Sequence, residues 1–198
     1  MTALEATSLR CVAAIALMCF GFTMNTHSAS EKILFDFQTA TNSAAWQIMN
    51  DDVMGGVSTS AFRITTNGTA LFTGHVSLEN NGGFASVRSL PRRTDLTGCG
   101  SFVIRVRGDG RRYKFTVRTD SNFDSPLYQT AFVTAKGEWE ELRLPFNRFV
   151  PTFRGRVLND VPPLKPAQVT SVGFLIAEKQ DGPFRLEISS IKAAPATL

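Results

Sequence analysis

The apolar residues from Ile33 onward alternate with polar residues in short runs, which Gly, Asn, Asp and Pro interrupt. A period of two residues is typical of β-strands, and no stripe with the 3.6-residue period of an amphipathic helix accompanies it. The pattern predicts an all-β sandwich or barrel, in which two sheets bury their inner faces about 10 Å apart. The predicted strands are Ile33–Phe37, Trp46–Met49, Ala61–Thr65, Ala70–Leu78, Phe84–Ser89, Ser101–Arg107, Arg112–Thr119, Leu127–Thr134, Trp139–Leu144, Val172–Ala177 and Phe184–Ile191.

The first thirty residues have the pattern of an exported protein. An apolar run of 12 residues, Cys11–Phe22, follows Arg10 and gives way to small and polar residues. A membrane span needs about 20 apolar residues, so the run predicts a signal peptide and no stable membrane span after its cleavage. We therefore expect a signal peptide over residues 1–30, one domain over 31–194, a tail over 195–198, and a periplasmic or secreted location.

Composition after residue 30 argues against several functions. Only Cys99 and His75 remain of their residue types, so the sequence predicts no disulfide and no Cys/His catalytic pair. Cys99 is interpreted as a small buried or turn residue. The 21 Lys and Arg residues exceed the 17 Asp and Glu residues by a net charge of only +4. That excess is small for a nucleic-acid-binding protein, and we expect no nucleic-acid partner.

The segment Ser101–Thr119 is predicted to form a hairpin around Asp109-Gly110, a favoured pair for two-residue turns. Its apolar residues then face each other on the core side. The predicted cross-strand pairs are Val106 with Tyr113, Ile104 with Phe115, and Phe102 with Val117.

The same register places like charges opposite each other on the outer side of the hairpin. Two interpretations follow: Glu141 of a neighbouring strand neutralises a solvated surface, which we favour, or the face receives an anionic or polar partner. The candidate partner-binding residues are the basic side chains of this face with two aromatic residues, namely Arg105, Arg107, Arg112, Lys114, Arg118, Tyr128 and Trp139.

The stretch Pro145–Pro166 contains five of the nine prolines and shows no strand-like alternation, which predicts a long loop. Its phenylalanines and arginines alternate. Stacking on nucleotides is one interpretation. We favour the other, in which the phenylalanines fix the loop to the sandwich and the arginines are solvated. These residues are Phe146, Phe149 and Phe153 with Arg148, Arg154 and Arg156.

Two glycine-rich motifs lie in the first half of the chain, WQIMNDDVMGGVS over Trp46–Ser58 and FTGHVSLENNGGFASVR over Phe72–Arg88. In combination and in this order they resemble the complex I intermediate-associated protein 30 family. The resemblance covers about Ile33 to Ala193. It continues through Tyr128-Gln129, Gly137-Glu138-Trp139, Leu144-Pro145-Phe146, Phe153-Arg154-Gly155-Arg156, Pro162-Pro163-Leu164 and Gly182-Pro183-Phe184.

This resemblance implies a jelly-roll β-sandwich of the galactose-binding-like type. It also implies a protein without catalytic residues, whose mitochondrial relatives help to assemble respiratory complex I. We therefore expect a non-enzymatic protein-binding assembly factor, with respiratory-complex subunits among its partners. The alternative is a carbohydrate-binding module, for which Trp139, Tyr128, Gln129 and Arg118 would be outward groups, although two Trp and two Tyr are few for a sugar platform.

The two motif loops combine paired glycines with oxygen-bearing side chains. Such oxygens coordinate Ca²⁺, which makes structural calcium one interpretation. The other, which we favour, is that they cap turns and that no cofactor binds. A carboxylate pair for glycoside hydrolysis would need a sugar cleft, and we expect no enzyme activity. The residues of these loops are Asn50, Asp51, Asp52, Gly55, Gly56, Glu79, Asn80, Asn81, Gly82 and Gly83.

Overall fold

The computed structural model describes residues 31–38, 45–122 and 124–196. The predicted signal peptide over 1–30 lies outside the described residues. The described chain is all-β, with a few single turns of 3₁₀-helix between strands. The strands are β1 (Lys32–Asp36), β2 (Trp46–Asn50), β3 (Thr59–Ile64), β4 (Ala70–Val76), β5 (Ala85–Ser89), β6 (Cys99–Arg107), β7 (Arg112–Arg118), β8 (Leu127–Val133), β9 (Trp139–Pro145), β10 (Val150–Phe153), β11 (Arg156–Val157), β12 (Ser171–Ile176) and β13 (Gly182–Pro195).

The strands form two antiparallel sheets. Sheet 1 has the order β3-β4-β13-β6-β9, and β1 pairs with β13 beside this path. Sheet 2 has the order β11-β10-β8-β7-β12-β5-β2. The predicted β-sandwich is therefore confirmed. Among the described residues, none forms a helix with the length and apolarity that a membrane span needs.

Aromatic side chains fill the space between the two sheets. Phe102 of β6 contacts Phe115 of β7 with ring centroids 5.0 Å apart, and Phe115 contacts Phe174 of β12 at 5.3 Å. All three are fully buried. Edge-to-face and tilted packing of this kind stabilises a core beyond the area that it buries. The alternation seen in the sequence correctly assigned the core faces of β6 and β7.

The predicted pairing of β6 with β7 is wrong. β6 pairs with β9 and β13 in sheet 1, whereas β7 pairs with β8 and β12 in sheet 2. The connection at Asp109 crosses from one sheet to the other, because its carboxylate accepts hydrogen bonds from the Arg185 N–H of β13 at 2.8 Å and from the Tyr113 hydroxyl of β7 at 3.0 Å. Gly110 adopts the positive φ that a turn favours, but this turn does not close a hairpin.

The prediction that 145–166 is a loop without strands is also wrong in part. Strand β10 pairs with β8 and with the two-residue β11 inside this stretch. Strand β10 was missed because it contains Pro151. Proline cannot donate a hydrogen bond within a sheet, so its presence in a sequence usually indicates that the segment is not a central strand. The prediction that phenylalanines fix the segment to the sandwich is confirmed for Phe146 and Phe149, which are both buried.

Candidate functional site

The two glycine-rich motif loops meet at a single buried carboxylate. Asp51 follows β2 and is fully buried. Its Oδ1 accepts a hydrogen bond from the Ser58 N–H at 2.9 Å, and its Oδ2 accepts from the Ser58 hydroxyl at 2.5 Å. Oδ2 also accepts from the N–H groups of Gly83 at 2.7 Å and Phe84 at 3.2 Å. Asp51 therefore ties its own loop to the loop that precedes β5.

The glycines of both motifs make room for this carboxylate. A Cβ at Gly56 would lie 2.4 Å from the carboxyl carbon of Asp51, and a Cβ at Gly82 would lie 2.6 Å from Oδ2. Either contact is too close to form without displacement. Gly55 has a different role, since it ends the 3₁₀ turn after β2 with a φ of 87°. We conclude that Gly56 and Gly82 leave the space that the Asp51 carboxylate occupies.

The protonation of Asp51 follows from these contacts. Burial alone raises the pKa of a carboxyl, but the hydrogen bonds from Ser58, Gly83 and Phe84 outweigh burial and hold the pKa of Asp51 below its usual range. Asp51 is therefore an ionised carboxylate whose two oxygens are occupied by protein donors.

The loop geometry favours the capping interpretation over calcium. Asn50 Oδ1 accepts a hydrogen bond from the Ser60 hydroxyl at 2.7 Å. The remaining predicted calcium ligands are exposed: Asp52, Glu79, Asn80 and Asn81. Within the ranges that the structure describes, no three His, Cys, Asp or Glu side chains form a group able to hold a metal ion. The oxygens of Asp51 and Asn50 are thus used in hydrogen bonds within the protein.

A groove of about 490 Å³ lies across the outer face of sheet 2. Alternate residues of its strands form the floor, and Val53, Met54 and Phe84 of the motif loops form one wall. Phe153, the last residue of β10, and Arg154, which follows it, contribute to the opposite side. The Asp51 hydrogen bonds thus fix the loops that form one wall of this groove, which we call the sheet 2 groove.

A row of paired residues crosses the floor of the groove. Arg88 of β5 is paired with Gly173 of β12, Gly173 with Thr116 of β7, and Thr116 with Gln129 of β8. Gly173 contributes no side chain, and a Cβ there would lie 2.3 Å from the Val87 carbonyl oxygen. Gly173 therefore allows β12 and β5 to approach each other closely beside Arg88.

The lining of the groove is cationic. It includes Arg88, Lys114, Arg118 and Arg154, and none of the described residues that line it is acidic. Lys114 pairs with Glu178 at 2.9 Å, and Arg154 lies 3.8 Å from Asp124.

The two arginines of the floor, Arg88 and Arg118, are partly buried. Arg118 donates to the carbonyl oxygens of Asn122 at 3.1 Å and Ser125 at 3.3 Å. Burial lowers the pKa of Arg88. Burial also lowers the pKa of Arg118, the positive charge of Arg88 lowers it further, and the negative charge of Asp120 raises it in part. The two guanidinium groups therefore repel each other at the centre of the groove.

The candidate basic residues are divided between opposite sides of the molecule. Lys114 and Arg118 face the sheet 2 groove, and Arg112 of the same strand pairs with Glu178 at 3.2 Å. Arg105 and Arg107 lie on the outer face of sheet 1. They do not form one surface with the other three, because β6 and β7 belong to different sheets.

The candidate residues on the outer face of sheet 1 contact one another and a neighbouring glutamate. The guanidinium groups of Arg107 and Arg105 lie 5.0 and 5.7 Å from the ring centroid of Trp139. Arg107 also forms an ion pair with Glu187 at 2.7 Å, and Arg105 lies opposite Glu141 in the register. The strand that carries Glu141 is thus the neighbour of β6, and the ion pair of Arg107 is formed with Glu187.

Tyr128 is not on the surface, contrary to the sequence-based expectation. It is buried, and its hydroxyl donates to the Pro162 carbonyl oxygen at 3.0 Å. Side chains alternate along a strand, so Tyr128 and the neighbouring Gln129 cannot face the same side. Gln129 lines the groove and Tyr128 belongs to the core.

Sequence reasoning missed Arg88 and Gly173 as residues of the site. Arg88 was detectable from the alternation of the strand Phe84–Ser89, which sends Ser86 and Arg88 outward when Val87 faces the core. Gly173 had no local signal. Only the pairing of β12 with both β5 and β7 shows that it lies between Arg88 and Thr116.

Comparison with known proteins agrees with this architecture. The family described as Complex I intermediate-associated protein 30 matches residues 35–188, which contain every strand except the two ends of the fold. The chain belongs to this family. The chain is 29% identical over 180 residues to the mitochondrial family member of Mus musculus, covering 81% of this chain and 55% of that protein. It is 31% identical over 181 residues to that of Drosophila melanogaster, covering 80% and 61%. The chain thus spans little more than half the length of these relatives.

A solved structure confirms the fold type. The family 11 carbohydrate-binding module of a cellulosomal cellulase of Clostridium thermocellum superposes with a TM-score of 0.64 at 17% identity, covering 84% of this chain and 95% of that one. At this identity the likeness shows the fold alone, a galactose-binding-like β-sandwich.

The predicted periplasmic or secreted location is wrong. The mouse and fly relatives are both named as mitochondrial proteins, which points to the mitochondrion. The apolar run Cys11–Phe22 resembled a secretory signal because its length and flanks fit that pattern, but the comparison with relatives gives no support for export.

Proposed function

We propose that this protein is a non-enzymatic binding module that assists the assembly of mitochondrial complex I, and that it holds a protein partner in the sheet 2 groove. The observation that carries the proposal is the family match over residues 35–188, the part of the chain that builds both the sandwich and the groove. The relatives matched over this range are named as complex I intermediate-associated proteins. A shared binding surface should therefore lie within this range.

The chemistry of the groove supports binding rather than catalysis. Its described lining includes no Asp, Glu, His or Cys side chain. His75 lies on β4 of sheet 1, away from the groove. General acid–base catalysis needs a titratable group within hydrogen-bonding reach of the substrate, and nucleophilic catalysis needs a base beside the nucleophile. Lys114 of the lining is titratable, but Glu178 pairs with it at 2.9 Å. The groove offers cations, hydrogen-bonding groups and apolar side chains, which are the components of a binding surface.

The distribution of aromatic residues favours a protein partner over a carbohydrate. Trp139 is on the outer face of sheet 1 with Arg105 and Arg107, and Tyr128 is buried. The aromatic side chains of the groove lining are Phe84 and Phe153. No indole or phenol is available there for the combined stacking and hydrogen bonding that sugar binding uses.

The proposal is tested by replacing the relative in fly cells. Drosophila cells depleted of their own family member receive this chain behind a mitochondrial targeting sequence, and assembled complex I is measured on native gels. We expect recovery of complex I with the wild-type chain. Recovery should fall with a groove variant, Leu175→Asp, and persist with a sheet 1 control, Arg63→Gln. No recovery by a stably expressed, folded wild-type chain would contradict the proposal.

A further inference from the structure

We infer that the sheet 2 groove binds an extended peptide segment through an Asp or Glu carboxylate of that segment, which Arg88 and Arg118 hold between them above strand β12. This inference rests on the proposed function, because it specifies the chemistry of the protein partner. It also goes further, since it names the residues that make the contact and the charge that they require.

The position of the two arginines is the first argument. Arg88 is paired with Gly173 on β12, and Arg118 is paired with Ser171 on the same strand. The arginines therefore approach β12 from opposite sides at positions two residues apart. Both side chains line the groove, and the positive charge of Arg88 acts on Arg118, so the two guanidinium groups lie near each other. An anionic group bound between them would be within reach of both.

Charge complementarity is the second argument. Arg88 and Arg118 repel each other and both are partly buried, which destabilises their charged forms. Among the described residues, no acidic side chain lines the groove. A ligand carboxylate would remove this repulsion and would accept the strong, paired hydrogen bonds that guanidinium groups form with carboxylates.

The remainder of the lining fits a peptide. Thr116 and Gln129 lie in the same row as Arg88 and can donate to or accept from a peptide backbone. Met49 and Leu175 on one side and Leu127 on the other provide apolar contacts. The volume of about 490 Å³ is in the range of specific ligand sites. A segment that alternates acidic and apolar side chains satisfies all three features.

The test uses two short peptides blocked at both ends. One alternates leucine and glutamate, and the other alternates leucine and glutamine. Binding of each to the full chain is measured by fluorescence anisotropy, and the contact surface is mapped from backbone amide shifts in NMR spectra. We expect the glutamate peptide to bind at least about tenfold more tightly and to shift amides of β5, β7, β8 and β12. Added salt should weaken it, since exposed charges are screened over about 8 to 10 Å.

Matched variants assign the contact to the two arginines. Arg88→Gln should reduce affinity for the glutamate peptide about tenfold, and Arg88→Lys should restore part of the loss because it keeps the charge but not the paired hydrogen bonds. Arg63→Gln, which removes an exposed arginine of sheet 1, should leave affinity unchanged. Arg118→Lys gives a second measurement that keeps a cation at the other position, and it should also weaken binding. A thermal melt of each variant confirms folding.

Several outcomes would overturn the inference. Equal binding of the two peptides would remove the carboxylate requirement. Unchanged affinity in a folded Arg88→Gln variant would remove the arginine contact. Displacement of the glutamate peptide by inorganic phosphate at equal concentration would identify a general anion site instead, and shifts caused by a mixed-linked glucan oligosaccharide but not by the peptide would identify a sugar site. If complex I is restored in fly cells while the peptide does not bind, the carboxylate inference fails and the proposed function stands.

Discussion

The aromatic rings of Phe102 and Phe115 lie with their centroids 5.0 Å apart, although the two residues belong to different sheets. Both side chains are fully buried. The predicted hairpin would have placed them near each other on one sheet. Instead, the contact joins the inner faces of the two sheets. It is therefore a packing contact between sheets and does not result from pairing of neighbouring strands.

The first prediction is that Phe115→Ala destabilises the fold. Removal of a fully buried phenylalanine ring leaves a cavity beside Phe102 and Phe174, and we expect a loss of about 3 to 5 kcal/mol in the free energy of unfolding. Urea denaturation measures the loss. Val133→Ala is the control, because Val133 is 56% exposed and its truncation should cost less than about 0.5 kcal/mol. A loss below about 1 kcal/mol for Phe115→Ala would contradict the observed packing.

The second prediction concerns the carboxylate that joins the motif loops. Asp51→Asn replaces one acceptor oxygen by an NH₂ group, which faces N–H and O–H donors of Ser58, Gly83 and Phe84. We expect a loss of about 2 to 4 kcal/mol, because hydrogen bonds to a charge are lost and buried donors are left unpaired. Asp52→Asn is the matched control, since Asp52 is the exposed neighbour. Equal stability of the two variants would show that Asp51 does not join the loops.

The third prediction is the acid dependence of stability. The pKa of Asp51 in the folded protein is below the ordinary value of 3.8, and that of Glu187 is below 4.5. A lowered folded pKa gives stability that is complete above the ordinary value and is lost as pH falls through the folded value. The free energy of unfolding should therefore fall as pH is lowered from about 5 to about 2. Asp51→Asn should show a shallower decrease over this window, and an unchanged slope would contradict the assignment.

The fourth prediction is that Gly82 and Asp51 are energetically coupled. An alanine Cβ at Gly82 would lie 2.6 Å from Oδ2 of Asp51, so Gly82→Ala should cost about 1 to 3 kcal/mol as an overpacking change. In an Asp51→Ala background the nearest remaining contact is the Glu79 carbonyl oxygen at 3.0 Å, and the cost should fall below about 1 kcal/mol. A double-mutant cycle by thermal unfolding measures the difference. Additive losses would show that Gly82 is required for another reason.

The strands and their core faces could be predicted from the sequence because alternation is a local signal. Each predicted strand overlaps an observed one, and Phe102, Ile104 and Phe115 face the core as expected. Pairing partners could not be predicted in the same way. The Asp109-Gly110 turn has the composition of a hairpin turn, yet the Arg185 N–H, which is 76 residues away in sequence, holds Asp109 where the chain changes sheets. A contact between residues so far apart in the chain cannot be detected from the local sequence pattern.

The candidate site was predictable only in part for the same reason. Lys114 and Arg118 were identified because they alternate with core residues on one strand. Arg105 and Arg107 were grouped with them through the wrong pairing, and Arg88 and Gly173 come together with Arg118 only through β12. The motif loops were recognised by composition, but their meeting at Asp51 depends on hydrogen bonds across 32 and 33 residues of chain.

The fifth prediction separates the two arginines of sheet 1 from the groove. Arg107 donates to Oε2 of Glu187 at 2.7 Å, and Glu187 is buried and also accepts from the Thr69 hydroxyl at 2.7 Å. Arg107→Thr leaves Glu187 with the Thr69 hydroxyl and the longer contact to Arg185 at 3.3 Å, so a charged hydrogen bond to a buried carboxylate is lost, and we expect a loss of about 2 kcal/mol in the free energy of unfolding. Arg105→Thr should change stability by less than about 0.5 kcal/mol, because Arg105 is exposed.

Both variants should bind the alternating leucine–glutamate peptide as the wild type does, because neither residue lines the sheet 2 groove. Urea denaturation and fluorescence anisotropy on the same samples measure both effects. Weaker peptide binding by a folded Arg105→Thr variant would move the partner surface from sheet 2 to sheet 1.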